Sequence, residues 1–135
     1  MKDKVFFDTN TLIYLYSSDD IDKRDIVIQY LKSTNAVIST QVVNELCNVL
    51  LKKSGLPTHD VKLILENIAT FIAIVDVSMN HITQGLLLKE RDGYSYYDSL
   101  ILSTALLEEC KYVFTEDMHS GQVINNKVTI KNIFH

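Results

Sequence analysis

Val5-Phe6-Phe7-Asp8-Thr9-Asn10 is the stretch on which the fold turns. Three apolar residues run straight into a carboxylate. A helical pattern, Thr11-Leu12-Ile13-Tyr14-Leu15, starts directly after it. A short apolar run bounded by polar residues reads as a buried strand. Its terminal acid then stands at the carboxyl edge of a sheet, where open α/β folds bind their ligands. Glu45, Asp98 and Asp117 occupy comparable places further on. Carboxylates gathered at one edge repel each other unless a cation holds them, so the pattern points to a metal site.

Outward from that stretch, strands and helices alternate. Strands are predicted over 5–8, 36–38, 71–77, 112–115 and 128–130. Helices are predicted over 11–16, 21–31, 41–53, 58–70, 79–91 and 97–109. Ser39 and Thr40 are caps for the third helix, whose buried stripe is Val42, Val43, Leu46, Val49 and Leu50. In the second helix Ile21, Val27, Ile28 and Leu31 follow helical spacing. In the last, Leu100, Ile101, Thr104, Ala105 and Leu107 are expected to face inward. The alternation implies an α/β fold: three α/β/α layers around a central parallel sheet of about five strands, with right-handed crossovers. No repeat, linker or biased segment divides the chain, so 1–135 is expected to be one domain.

At 135 residues with 47% apolar content, the chain can fill one core, which argues against wholesale disorder. One Pro and four Gly favour long regular elements. No apolar run is long enough to span a membrane, and the start lacks a basic segment followed by an apolar one. The expected location is therefore cytoplasmic. Cys47 and Cys110 are isolated and match no zinc spacing; reduced core thiols are the simpler reading.

The net charge of −4 argues at first against a nucleic-acid partner. Setting the four suspected site acids aside leaves 13 acids, equal to the 13 Lys and Arg. The acidity is then what a metal cluster leaves in an otherwise balanced protein. Affinity for RNA or DNA would come from local cations and the bound ion.

Each acid has an ordinary alternative. Asp8 can simply cap the next helix, with Thr9 and Asn10 beside it to position a water or a phosphate oxygen. A helical Glu such as Glu45 is usually solvated; its place just inside a helix leaving the second strand argues otherwise. Asp98 opens an apolar helix, where the helix dipole alone favours a carboxylate. Tyr94, Tyr96 and Tyr97 crowd its approach, to stack on bases or on one another. Asp117 follows the fourth strand in a segment that could be a plain turn, and Glu116 competes with it for the fourth place. His119 is either a general base or a solvated loop residue. Lys52, Lys53, Lys89 and Arg91 can guide a nucleic-acid backbone or form a solvated helix surface. Hard divalent ions take oxygen ligands, and Mg²⁺ keeps waters that substrate phosphates replace. One ion activates water; a pair stabilises both oxygens of an in-line displacement.

Phe7-Asp8-Thr9-Asn10, Ser39-Thr40-Gln41-Val42-Val43-Asn44-Glu45-Leu46, Tyr97-Asp98-Ser99-Leu100-Ile101 and Thr115-Glu116-Asp117-Met118-His119-Ser120-Gly121-Gln122 resemble the motifs of PIN-domain ribonucleases. Within that family the chain is most similar to the VapC-like toxins of type II toxin–antitoxin pairs. The four motifs occur in order across essentially the whole chain. The resemblance implies Asp8 and Asp98 as main ligands of Mg²⁺ or Mn²⁺, with Glu45 and Asp117 completing the quartet and Asn10 and Thr115 supporting it. It further implies endonucleolytic cleavage of RNA, a homodimer and a cognate antitoxin that blocks the site, often with a basic side chain. The Tyr-rich approach to Asp98 departs from the usual pattern and bears on substrate choice.

Rival readings fit less well. A haloacid-dehalogenase-type phosphatase with Asp8 as nucleophile wants a second acid two residues on, where Asn10 stands, and more length for a cap. A receiver-like signalling module with Asp76 as phosphoacceptor wants an acid pair after the first strand. An RNA-binding domain without catalysis has no need of the full quartet.

Overall fold

Val5, Phe6 and Phe7 are buried completely in β1 (Lys4–Phe7), which lies in the interior of a six-stranded sheet. The computed structural model describes residues 1–134. After β1 come α1 (Thr9–Leu12), a 3-10 turn (Ile13–Tyr16) and α2 (Ile21–Ser33), which leads into β2 (Asn35–Ser39). Next are α3 (Thr40–Lys52), α4 (Thr58–Ile68) and β3 (Ala73–Val75). Then follow α5 (Met79–Asp92), α6 (Tyr96–Leu107), β4 (Tyr112–Phe114), β5 (Val123–Ile124) and β6 (Val128–Lys131).

The sheet order is β3-β2-β1-β4-β6-β5, parallel except at the β5 edge. The chain steps from β1 outward to β2 and β3, then crosses back to the other side of β1. Right-handed crossovers therefore send the helices after β1 and β2 to one face, and α5 and α6 to the other. Between β1 and β4 the connections diverge to opposite faces. That is a topological switch point, and it leaves a crevice beyond the carboxyl ends of those two strands.

The core is apolar on both faces of the sheet. Phe7 and Tyr30 each pack edge-on against Phe114, with ring centroids 5.2 and 5.0 Å apart. Burying each such ring contributes roughly 2–3 kcal/mol. Helix α6 is buried over most of its circumference, with Leu100 to Ala105 all inside. It lies close against α5 because Gly85 has no side chain: a Cβ there would stand 3.3 Å from the Leu100 Cα. No helix among the described residues is long and apolar enough to cross a membrane.

Several expected details differ. The first helix begins at Thr9 rather than Thr11, because Asp8 caps it, and tightens to a 3-10 turn at Ile13. The third strand is shorter than 71–77, since 69–71 still turn off the end of α4. Ile21 and Leu107 are exposed: each sits at a helix end, beyond the reach of the core. The sixth strand, β5, pairs antiparallel with β6 through a tight turn in which Asn125 and Asn126 both have positive φ. That geometry suits a hairpin, and Asn is among the residues that tolerate it.

Candidate active site

The end of β1 delivers Asp8 to the switch-point crevice as the N-cap of α1. Its Oδ1 accepts from the Thr9 backbone N–H at 2.7 Å. Its Oδ2 accepts from the Thr115 hydroxyl at 2.8 Å, across from the end of β4. Asp8 is only 4% exposed. Burial, with a smaller push from the charges of Glu45 and Asp98, raises its carboxyl to about 7 against the pull of those two hydrogen bonds.

Ser39 caps α3, and Glu45 follows on that helix at the height of the crevice. Both of its oxygens are held: Oε2 accepts from the Thr9 hydroxyl at 2.8 Å, and Oε1 from Gln41 Nε2 at 3.2 Å. Ser95 caps α6 and accepts from the Asp98 N–H at 3.2 Å, which sets Asp98 in the first turn. Burial raises the Asp98 carboxyl above its ordinary range, and the charges of Asp117 and Glu45 raise it more. Past β4, Thr115 Oγ1 also accepts from the Asp117 N–H at 3.2 Å and from Asn10 Nδ2 at 3.2 Å. Asn10 Oδ1 in turn accepts from the Glu116 N–H at 3.1 Å.

Asp8, Thr9, Asn10, Glu45, Asp98, Glu116 and Asp117 thus border one cleft of about 570 Å³, joined there by Tyr97 and Lys53. Glu116 differs from its neighbours. Its carboxylate is engaged by Lys23 Nζ at 3.0 Å and by the Tyr14 hydroxyl at 2.7 Å, while Asp117 acts electrostatically on Asp98. The remaining candidates lie apart. Lys52 is exposed and does not border the cleft, and Tyr96 sits edge-on to Tyr97 with centroids 5.3 Å apart. Lys89 is on the surface of α5, and Arg91 is paired with Asp92 at 2.8 Å. His119 is exposed in a separate shallow hollow with Ser120, Gly121 and Gln122.

Two participants escaped the sequence reading. Gln41 is buried, and its amide also donates to the Tyr97 carbonyl at 3.1 Å, so it ties α3 to the start of α6. The spacing of Gln41 four residues before Glu45 was the available signal. Lys23 could not be matched to Glu116 from sequence, because 93 residues separate them.

An ion fits this donor set on chemical grounds. The groups are oxygen donors of the kind Mg²⁺ and Mn²⁺ take. Asp8 and Asp98 are destabilised as anions, first by burial and then by neighbouring carboxylates, and a cation would offset both. Among the described residues no three His, Cys, Asp or Glu side chains are already drawn into a close cage.

The model of the PIN domain family matches residues 5–122. No curated protein sequence matches the chain. Solved structures do. VapC20 of Mycobacterium tuberculosis, a sarcin–ricin loop cleaving toxin, is 17% identical with a TM-score of 0.69, over 84% of this chain and 89% of that one. A toxin–antitoxin complex from Klebsiella pneumoniae is 21% identical with a TM-score of 0.72, over 96% and 98%. VapBC2 from Rickettsia felis, bound to a promoter DNA fragment, is 19% identical with a TM-score of 0.67, over 96% and 99%. At these identities the likeness speaks for the fold, and the family-model match spans most of the sequence. The chain belongs to the PIN domain family.

Proposed function

We propose that this chain is an endoribonuclease dependent on Mg²⁺ or Mn²⁺, and the toxin of a toxin–antitoxin pair. The observation that carries the reading is the gathering of Asp8, Glu45, Asp98 and Asp117 around one cleft at the switch point. Its setting is the support given by family membership and by neighbours that are themselves toxins or toxin–antitoxin complexes.

In this reading Asp8 and Asp98 hold the ion, with Glu45 and Asp117 completing the shell directly or through water. A divalent ion bound there supplies the positive charge that offsets the carboxylates, activates a water and stabilises charge on the phosphate. The protein's own groups do the rest. Thr115 and the Thr9 N–H fix both oxygens of Asp8, and Thr9 and Gln41 fix both oxygens of Glu45. Preset ligands of this kind lose little entropy on binding. Lys53 at the cleft edge offers a cation to the RNA backbone. The same acidity would receive a basic side chain from an antitoxin. A homodimer is part of the proposal and is checked by sedimentation.

The test is cleavage of single-stranded RNA in Mn²⁺ and in EDTA. Internal cuts that need the metal and vanish in Asp98→Asn support the reading. Phosphate release from a small monoester without RNA cleavage would replace it with the phosphatase.

A further inference from the structure

A second hollow, also about 570 Å³, adjoins the acid cleft and shares Gln41, Glu45, Asn48 and Tyr97 with it. Its character is different. None of its lining residues is Lys, Arg or His, and Glu45 is the one charged group among them. An anionic phosphate therefore has no cationic partner there and meets the charge of Glu45. What it offers is apolar surface from Val77 and Leu100, carboxamides from Asn44 and Asn48, and an aromatic ring from Tyr97.

Those groups are placed for recognition. Asn44 and Asn48 are four residues apart on α3, so they share a face, and both are exposed. A carboxamide carries donors and an acceptor together, which is what the edge of a nucleobase demands. Tyr97 is 64% exposed, yet it is fixed on two sides. Its carbonyl accepts from the buried Gln41 amide at 3.1 Å, and its ring rests against Tyr96. The far wall is fixed as well, because the Val77 N–H donates to the Thr40 hydroxyl at 3.1 Å. A neutral, flat ligand with donors and acceptors on its rim fits this set: a base.

We infer that the hollow seats the base of a nucleotide flanking the scissile phosphate, stacked on Tyr97 and read along its edge by Asn44 and Asn48. The inference rests on the nuclease reading of the adjoining cleft. The backbone runs past Lys53 through the acid cleft while one base turns aside into the hollow. Single-stranded RNA is the substrate this geometry serves, since its bases are free to splay.

Two measurements test it. In the first, adenosine, cytidine, guanosine and uridine are titrated in EDTA into isotopically labelled protein, with ribose 5-phosphate as control. The side-chain amides of Asn44 and Asn48 and the ring of Tyr97 should shift with at least one nucleoside and not with ribose 5-phosphate. No shift with any nucleoside, or equal shifts with the sugar phosphate, overturns the inference. In the second, a randomised RNA pool is cut in Mn²⁺ by the wild type and by variants checked for folding by circular dichroism. The wild type should prefer one base beside the cut. Tyr97→Ala should slow cleavage by about tenfold or more, chiefly through KM. Tyr97→Phe should restore it, and Asn44→Ala with Asn48→Ala should flatten the base preference. A preference unchanged by either alteration overturns the inference. If the wild type cuts no RNA, the nuclease reading falls, and the nucleoside titration alone decides what the hollow binds.

Discussion

The hydroxyl of Thr115 donates to Oδ2 of Asp8 at 2.8 Å, joining the residue after β4 to the residue after β1. The same oxygen accepts from Asn10 and from the Asp117 backbone, so one hydroxyl sets the geometry of three other residues. We expect Thr115→Val to weaken Mn²⁺ binding by roughly 10- to 100-fold, the usual effect of removing a partner that orients a ligand. Thr115→Ser should bind nearly as the wild type does. Calorimetric titration measures both, and a valine variant with unchanged affinity would refute the orienting role.

Asp8 sets a pH dependence of stability in the metal-free protein. Its folded pKa is raised from 3.8 to about 7, so the native state holds this proton more tightly than the unfolded chain does. The stability from that proton is fully present below pH 3.8 and is lost as pH rises toward 7. The whole shift amounts to roughly 4 kcal/mol at most. Asp8→Asn removes it, although its single amide oxygen faces two donors, the Thr9 N–H and the Thr115 hydroxyl. In EDTA at pH 8 the variant should melt several degrees above the wild type, and near pH 4 the two should converge. A variant that melts lower at pH 8 would show that repulsion and burial are not what strain this carboxyl.

Glu116 and Asp117 are adjacent in sequence, and in the proposed site they divide in role. Glu116 is paired with Lys23 at 3.0 Å on partly exposed side chains, where solvent screens the pair. Glu116→Gln should leave Mn²⁺ affinity within about threefold, since its charge is already spoken for. Asp117→Asn should cost about tenfold or more, as loss of a shell member does. The reverse ranking would exchange their assignments.

Gly85→Ala tests how α6 is seated. Alanine gains about 1 kcal/mol of helix propensity. Here, however, the new methyl meets the backbone of Leu100 at 3.3 Å, which is not free to swing away. We expect a net loss of stability of about 1 kcal/mol or more, read from the urea midpoint. A stabilised variant would mean that α5 and α6 have room to part.

The sheet was legible because β1, β2 and β4 are short apolar runs, each closed by a polar residue at the crevice edge. That pattern follows directly from burial on both faces. The family was legible in four motifs, and the family-model match bears it out. The quartet's shared cleft agrees with the expected placing, while its ligand role stays a proposal. β5 was missed because two residues carry little periodicity; the Asn125-Asn126 pair was the signal that a hairpin lay there. Ile21 and Leu107 misled because helical spacing says which face is apolar, not how far along the helix the core extends. The side-chain ties that organise the cleft, from Thr115 to Asp8 and from Lys23 to Glu116, span about a hundred residues and leave no local trace.

The most direct test is where a divalent ion settles. Crystals grown without metal and soaked in Mn²⁺ should show an anomalous peak in the cleft, within ligand distance of Asp8 and Asp98, and Asp98→Asn crystals should lose it. No peak there under saturating Mn²⁺, or a peak only elsewhere on the surface, would contradict the metal-dependent account at its root.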